Sequence, residues 1–173
     1  MRDGKRKNNM ASKKFYENTF KNVRSEINQA PELRQPFIKE IEKHRGGRTV
    51  VSFFMSFHGQ YVLSQADADQ FEEILCNSKI DKGITLILDA PGGDGLAAER
   101  IIQICRSYSK GDFETVVPSR AKSAATMICL GSDRILMSPT SELGPIDPQI
   151  YYDLTGKGED EQLIAAHSVT TTY

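Results

Sequence analysis

The sequence lacks tryptophan, a charge imbalance and any long apolar run. Its 173 residues carry 22 Lys and Arg against 23 Asp and Glu, a formal net charge of −1. That balance does not drive binding to a polyanion, so no nucleic-acid partner is expected. No stretch approaches the ~20 apolar residues of a membrane helix, so no membrane span is expected. The N-terminus is polar and basic with no apolar centre, which argues against a signal peptide. Cysteine is scarce and odd in number, at Cys76, Cys105 and Cys129. All three lie in apolar segments expected to be buried. That suits free thiols in a reducing compartment and a cytoplasmic protein, not a disulfide framework. These cysteines and the three scattered histidines show no ligand spacing, so neither a metal nor another cofactor is expected. There is no internal repeat and no low-complexity tract.

What is present suits one globular domain, with 39% hydrophobic residues. Residues 1–11 read as a disordered basic arm and 12–47 as an N-terminal helical segment. In that segment Tyr16, Phe20, Val23 and Ile27 share one face of a helix over 12–29. A second helical stretch follows, punctuated by Pro31 and Pro36. Residues 48–173 read as an α/β domain. Thr49–Phe57 is an apolar run that predicts a buried strand. Ser64 with Asp67 has the spacing of a capping box ahead of a helix. Ile84–Leu88 predicts a strand, Gly95 to about Tyr108 a helix, and Glu114–Val117 a strand. Ser123–Leu130 predicts a small-residue helix ended by Gly131, and Arg134–Met137 a strand. Alternating strands and helices with short connections predict a mostly parallel sheet. After Ile150 the pattern fades into a loop and a final apolar run, Leu163–Ala166. With no stop signal at Tyr173, the fold is expected to continue beyond it.

The stretch Thr85–Ile150 organises the rest. It contains Asp-Ala-Pro-Gly-Gly-Asp-Gly at 89–95, Ala-Lys-Ser-Ala-Ala-Thr-Met at 121–127 and Gly-Ser-Asp-Arg-Ile-Leu-Met at 131–137. Gly-Pro-Ile-Asp-Pro-Gln follows at 144–149. This is neither of the usual glycine-rich phosphate loops. In this order the segments resemble the Clp protease/crotonase superfamily over roughly residues 50–150. Within it they most resemble the serine dehydrogenase proteinase family, related to ClpP and signal peptide peptidase A. The resemblance implies a ClpP/crotonase-like fold over 48–173, a peptide or protein substrate and a homo-oligomer.

The resemblance makes Ser123 the candidate nucleophile; from the residues alone a helix N-cap is the favoured reading. It makes Gly92, Gly93 and the Ala124 N–H candidates for holding an oxyanion and the substrate backbone. A plain strand-ending turn is the alternative for the glycines. The chain order Ser, Asp, His implied by the family falls on Ser123, Asp147 and His167, although ClpP has His where Asp147 stands. His58 and Lys157 remain open as the base. His44 lies upstream, and Lys122 adjoins Ser123 but diverges from it. Asp94 and Glu99 read as helix charges. The expected activity is peptide hydrolysis by a serine peptidase. Two rivals share the fold: a crotonase-like acyl-CoA enzyme, and a degenerate subunit used for assembly. No residue accounts for a serine dehydrogenase activity.

Overall fold

The computed structural model describes residues 31–58, 61–147, 149–153 and 161–165. The arm 1–11 and the helix expected over 12–29 lie outside them. By its contacts the chain divides into Met1–Ile41 and Glu42–Tyr173. The described elements run α1 (Pro31–His44), β1 (Thr49–Phe54), α2 (Gln65–Cys76), β2 (Ile84–Asp89), α3 (Gly95–Tyr108) and β3 (Phe113–Val117). They continue with β4 (Arg120–Ala121), α4 (Ala124–Leu130), β5 (Arg134–Met137), β6 (Glu142–Leu143), β7 (Gln149–Asp153) and β8 (Glu161–Ala165). Pro31 opens α1, where a missing N–H costs nothing; Pro36 sits inside the same helix.

The central sheet has the order β1-β2-β3-β5 with every pairing parallel. Parallel neighbours need long crossovers, and α2, α3 and α4 supply them. Helical spacing turns Ala68, Phe71 and Leu75 of α2 into the core, with Ala97, Ala98, Ile101, Ile104 and Cys105 of α3. Ala124, Ala125, Ile128 and Cys129 of α4 join them. Leu86 and Leu88, two apart on β2, share this core. Phe71 meets Phe53 of β1 edge to face, with ring centroids 6.3 Å apart. Burying a side chain such as Phe71 contributes about 1.5–3 kcal/mol. The expected box closes at α2: the Asp67 carboxylate accepts from the Ser64 N–H at 2.8 Å and from its hydroxyl at 2.7 Å. Asp94 caps α3, accepting from the Leu96 N–H at 2.9 Å.

Several expectations need correction. The first strand stops at Phe54, not Phe57, because its partner ends there: Met55 N–H makes a last bond to Asp89 O at 2.9 Å. Ser56 and His58 then bond to each other and turn the chain. The helix expected from Ser123 starts at Ala124. The runs on either side of the loop expected after Ile150, for which no strand was expected, pair as β7 antiparallel to β8 from Gln149↔Ala165 to Asp153↔Glu161, while residues 154–160 of that loop lie outside the described residues. The Tyr151-Tyr152 and Leu163-Ile164 runs are β-prone, but a single short hairpin has little periodicity to read. Cys76 is exposed at the end of α2, not buried.

The N-terminal edge of the sheet carries a charge network that the sequence pattern did not predict. Glu114, fully buried, accepts from Arg45 through both carboxylate oxygens at 2.8 and 2.7 Å. It also accepts from the Thr85 hydroxyl at 2.7 Å, and Arg48 and Arg134 stand 3.4 and 3.3 Å away. Arg48 is buried too; it bonds the Asp112 carboxylate, the Asp112 carbonyl at 2.7 Å and the Ile84 carbonyl at 3.0 Å. Burial alone would push the Glu114 carboxyl up. The Arg45 and Thr85 hydrogen bonds and the Arg48 charge outweigh it and hold the group at about 2.

Candidate active site

At the opposite edge, β2 runs out into Ala90-Pro91-Gly92-Gly93. Open parallel sheets bind ligands at this C-terminal edge. Pro91 has no N–H with which to extend the ladder. Gly92 and Gly93 then take φ of 98° and 147°, a region closed to most side chains. Close approach demands glycine as well. A Cβ on Gly92 would collide with the Lys122 carbonyl and lie 2.7 Å from Ser123 Cβ and 2.9 Å from Ala124 N. A Cβ on Gly93 would collide with the Leu63 backbone.

Leu63 lies alongside as a parallel bridge. Its N–H donates to Gly92 O, and Asp94 N–H donates to Leu63 O, both at 2.8 Å. A parallel bridge of this kind uses the groups of residues 92 and 94. It leaves the N–H and C=O of Gly93 itself directed away from Leu63. One step earlier, Ala90 pairs with Ala121: Ala90 N–H donates to Arg120 O and Lys122 N–H to Ala90 O, each at 3.1 Å. That pairing delivers Ser123 to the glycines.

Ser123 has φ 49° and ψ −122°, the first central position of a type II′ turn closed by Ala125 N–H to Lys122 O at 2.9 Å. Glycine is the usual occupant, and a non-glycine residue held there costs about 1–3 kcal/mol. An N-cap would instead have extended backbone and an occupied oxygen. Among the described residues the Ser123 side chain caps no helix N–H. Ala124 is the first residue of α4, so its N–H has no partner within the helix.

The two segments open onto a cavity of about 600 Å³. Its walls are Gly92, Gly93, Gly95, Ser123 and Ala124, the apolar Val62, Pro91, Met127 and Ile146, and one carboxylate, Asp147. Asp147 arrives on the return that follows β6. Glu142 N–H donates to Ser119 O and Gly144 N–H to Ala121 O, both at 2.8 Å, so the return lies beside the Ser123 turn.

A family model described as ClpP-like SDH-type serine proteinase matches residues 20–155. The chain belongs to the ClpP-like SDH-type serine proteinase family. An uncharacterized protein of Methanocaldococcus jannaschii is 32% identical over 145 residues, 73% of this chain and 49% of that protein. A second uncharacterized protein of that organism is 34% identical over 84 residues, 49% of this chain and 29% of the other. The chain thus spans about half the length of the first of these relatives and under a third of the second. Among solved structures, ClpP1 from Listeria monocytogenes shares 17% identity at a TM-score of 0.45, covering 62% of this chain and 61% of that one. A point mutant of the same protein gives 18% identity and a TM-score of 0.39, covering 53% and 51%.

In this ClpP-like SDH-type chain, Gly92, Gly93, Ser123, Ala124 and Asp147 all line one cavity. His167 and Lys157 lie outside the described residues. His58 is exposed in its turn and His44 is exposed at the end of α1; neither lines the cavity. Lys122 Nζ is bound to Glu142 at 2.7 Å, a hydrogen bond that holds the Glu142 carboxyl below its ordinary range. Cys105 and Cys129 are buried and do not line the cavity, and burial pushes both thiols up, Cys129 to about 11. Sequence reasoning missed Val62, Met127 and Ile146. Met127 was readable, standing four residues after Ser123 on the same helical face. Val62 and Ile146 reach the cavity only through tertiary packing. Among the described residues no helix is long and apolar enough to cross a membrane, and no His, Cys, Asp and Glu cluster suits a metal.

Proposed function

We propose that this chain is a serine peptidase with Ser123 as its nucleophile. The observation that supports this reading most is the Ser123 turn. A strained serine with no capping bond is pressed against Gly92, and Gly92 and Gly93 leave backbone, not side chain, facing a cavity. Strain of that kind concentrates at functional sites. Ser123 Oγ attacks the substrate carbonyl carbon, forming a C–O bond as its proton passes to a base. The Gly93 and Ala124 N–H groups hold the oxyanion. The C–N bond then breaks, the amine leaves with the proton, and water hydrolyses the ester in a second, mirrored step. The family order assigns the base to His167 and its orientation to Asp147. An extended peptide lies along the free edge of Gly93, with a side chain among Val62, Met127 and Ile146.

Peptide hydrolysis by the wild type and by Ser123→Ala tests this reading. Removing the nucleophile is expected to lower kcat by about 10⁴-fold or more. With no cap to lose, the melting temperature is expected to hold. Asp147→Asn is expected to lower kcat with KM nearly unchanged, because an orienting carboxylate acts through its charge and acceptor geometry. Full activity in Ser123→Ala would overturn the assignment.

A further inference from the structure

Thr126 is buried in α4, three residues after Ser123, and does not line the cavity. Thr126 is the third residue of α4, so the carbonyl four residues back, where a helical threonine commonly returns its hydroxyl, is that of Lys122 ahead of the helix. The hydroxyl reaches one residue further back. It donates to Ala121 O at 2.7 Å and accepts from Gly144 N–H at 3.2 Å. Gly144 O is also 3.2 Å away, but the single hydroxyl hydrogen goes to the shorter contact. The single Gly144 N–H is shared, with its shorter contact on Ala121 O at 2.8 Å and its longer one on the hydroxyl, closing a triangle of one carbonyl, one amide and one hydroxyl. Its corners lie two residues before Ser123, three residues after it, and three residues before Asp147. Gly144 fits there because it lacks a side chain: a Cβ would stand 2.9 Å from Lys122 Cα and 3.0 Å from Lys122 Cβ.

A serine held at positive φ keeps that conformation only if its flanks are over-determined. Buried polar groups hold geometry firmly when every member is satisfied. We propose that Thr126 is a positioning residue: its hydroxyl locks the Ser123 turn to the return that carries Asp147. This rests on the serine-peptidase reading. Thr126 touches no reacting atom and acts through Ala121 and Gly144. Losing the hydroxyl leaves the β4–β6 backbone bonds in place but removes the side-chain tie that α4 makes to both segments, and a displacement near 1 Å at such a site costs about 100-fold in rate.

The test is the second-order rate of Ser123 labelling by a fluorophosphonate, in which Ser123 Oγ bonds to phosphorus, fluoride leaves and the serine proton passes to the base. Peptide kcat and KM are measured alongside. Thr126→Val keeps the shape and removes the hydroxyl; it is expected to label roughly 10- to 100-fold more slowly, with kcat falling and KM holding. Thr126→Ser is expected to restore the rate. Ile84→Val, a core change at the far end of β2, gives a destabilised control expected to label at the wild-type rate. If Thr126→Val does not fold, Thr126→Ser against Thr126→Ala isolates the hydroxyl without the methyl. Equal labelling by wild type, Val, Ala and Ser variants overturns the role of Thr126 and leaves the peptidase reading intact. A folded wild type that does not label at Ser123 overturns the reading, and Thr126's role with it.

Discussion

The two edges of the parallel sheet solve opposite problems. At the N-terminal edge, Glu114 and Arg48 are buried and closely partnered, through Arg45, Thr85, Asp112 and Arg134. At the C-terminal edge, Ser123 sits at positive φ with no cap bond, two glycines leave backbone facing a cavity, and Asp89 Oδ1 is buried without a hydrogen-bond partner among the described residues. The first edge spends charge on holding strands in place. The second carries strain and open surface. The same four strands serve both edges.

If the edges are separable in this way, damage to the first should cost stability and leave the chemistry of folded molecules alone. Glu114→Ala leaves buried Arg48 with the half-exposed Asp112 as its one remaining carboxylate partner among the described residues. It is expected to destabilise the fold by about 3 kcal/mol, the lower end for a broken buried pair because Arg45 and Arg134 reach water. Chemical denaturation measures the loss, and the fluorophosphonate rate at Ser123 of the folded fraction should not change. A comparable loss in that rate would break the comparison.

Acid sharpens it further. Folded Glu114 titrates at about 2 against an ordinary value of 4.5. The folded state therefore binds this proton less tightly than the unfolded chain. Its stabilisation is complete above pH 4.5 and is lost as pH falls toward 2. Melting temperature followed across that window should fall in the wild type and fall less in Glu114→Gln. A variant curve parallel to the wild type would remove Glu114 from the account.

The smallest expected effect lies at the strained turn. Ser123→Gly should be more stable than Ser123→Ala by about 1 kcal/mol, since glycine accepts the positive φ that alanine does not. Calorimetry on the two inactive variants would show it. Equal melting temperatures would mean that the turn relaxes without a side-chain penalty.

The C-terminal edge was legible in the sequence because its parts are contiguous. Pro91-Gly92-Gly93 is a short run whose residue types are dictated by backbone conformation and close approach, whereas Ser123, at a φ that favours glycine, stood out only through the family resemblance. Their strands and helices were legible by period, from Ile84–Leu88 to Arg134–Met137. The N-terminal edge was not legible, because its members stand 69 residues apart from Arg45 to Glu114 and 64 from Arg48 to Asp112. Arg45 and Arg48 flank a Gly46-Gly47 turn with no pattern of their own, and nothing in Phe113-Glu114-Thr115 announces a buried carboxylate. The same limit hid Val62, placed by the Leu63–Gly93 bridge, and Ile146 and the Thr126–Gly144 contact, which exist only once β6 has returned beside β4. The β7–β8 hairpin escaped because five-residue strands show too little alternation to separate from a loop.

The central claim is that the strained serine at the C-terminal edge is the nucleophile. Treating the folded chain with a fluorophosphonate and mapping the adduct by mass spectrometry tests it most directly. The account predicts one adduct, on Ser123, absent from Ser123→Ala and slowed in Asp147→Asn. A folded chain that carries no adduct on Ser123, or carries it on another residue while hydrolysing peptide, would contradict it.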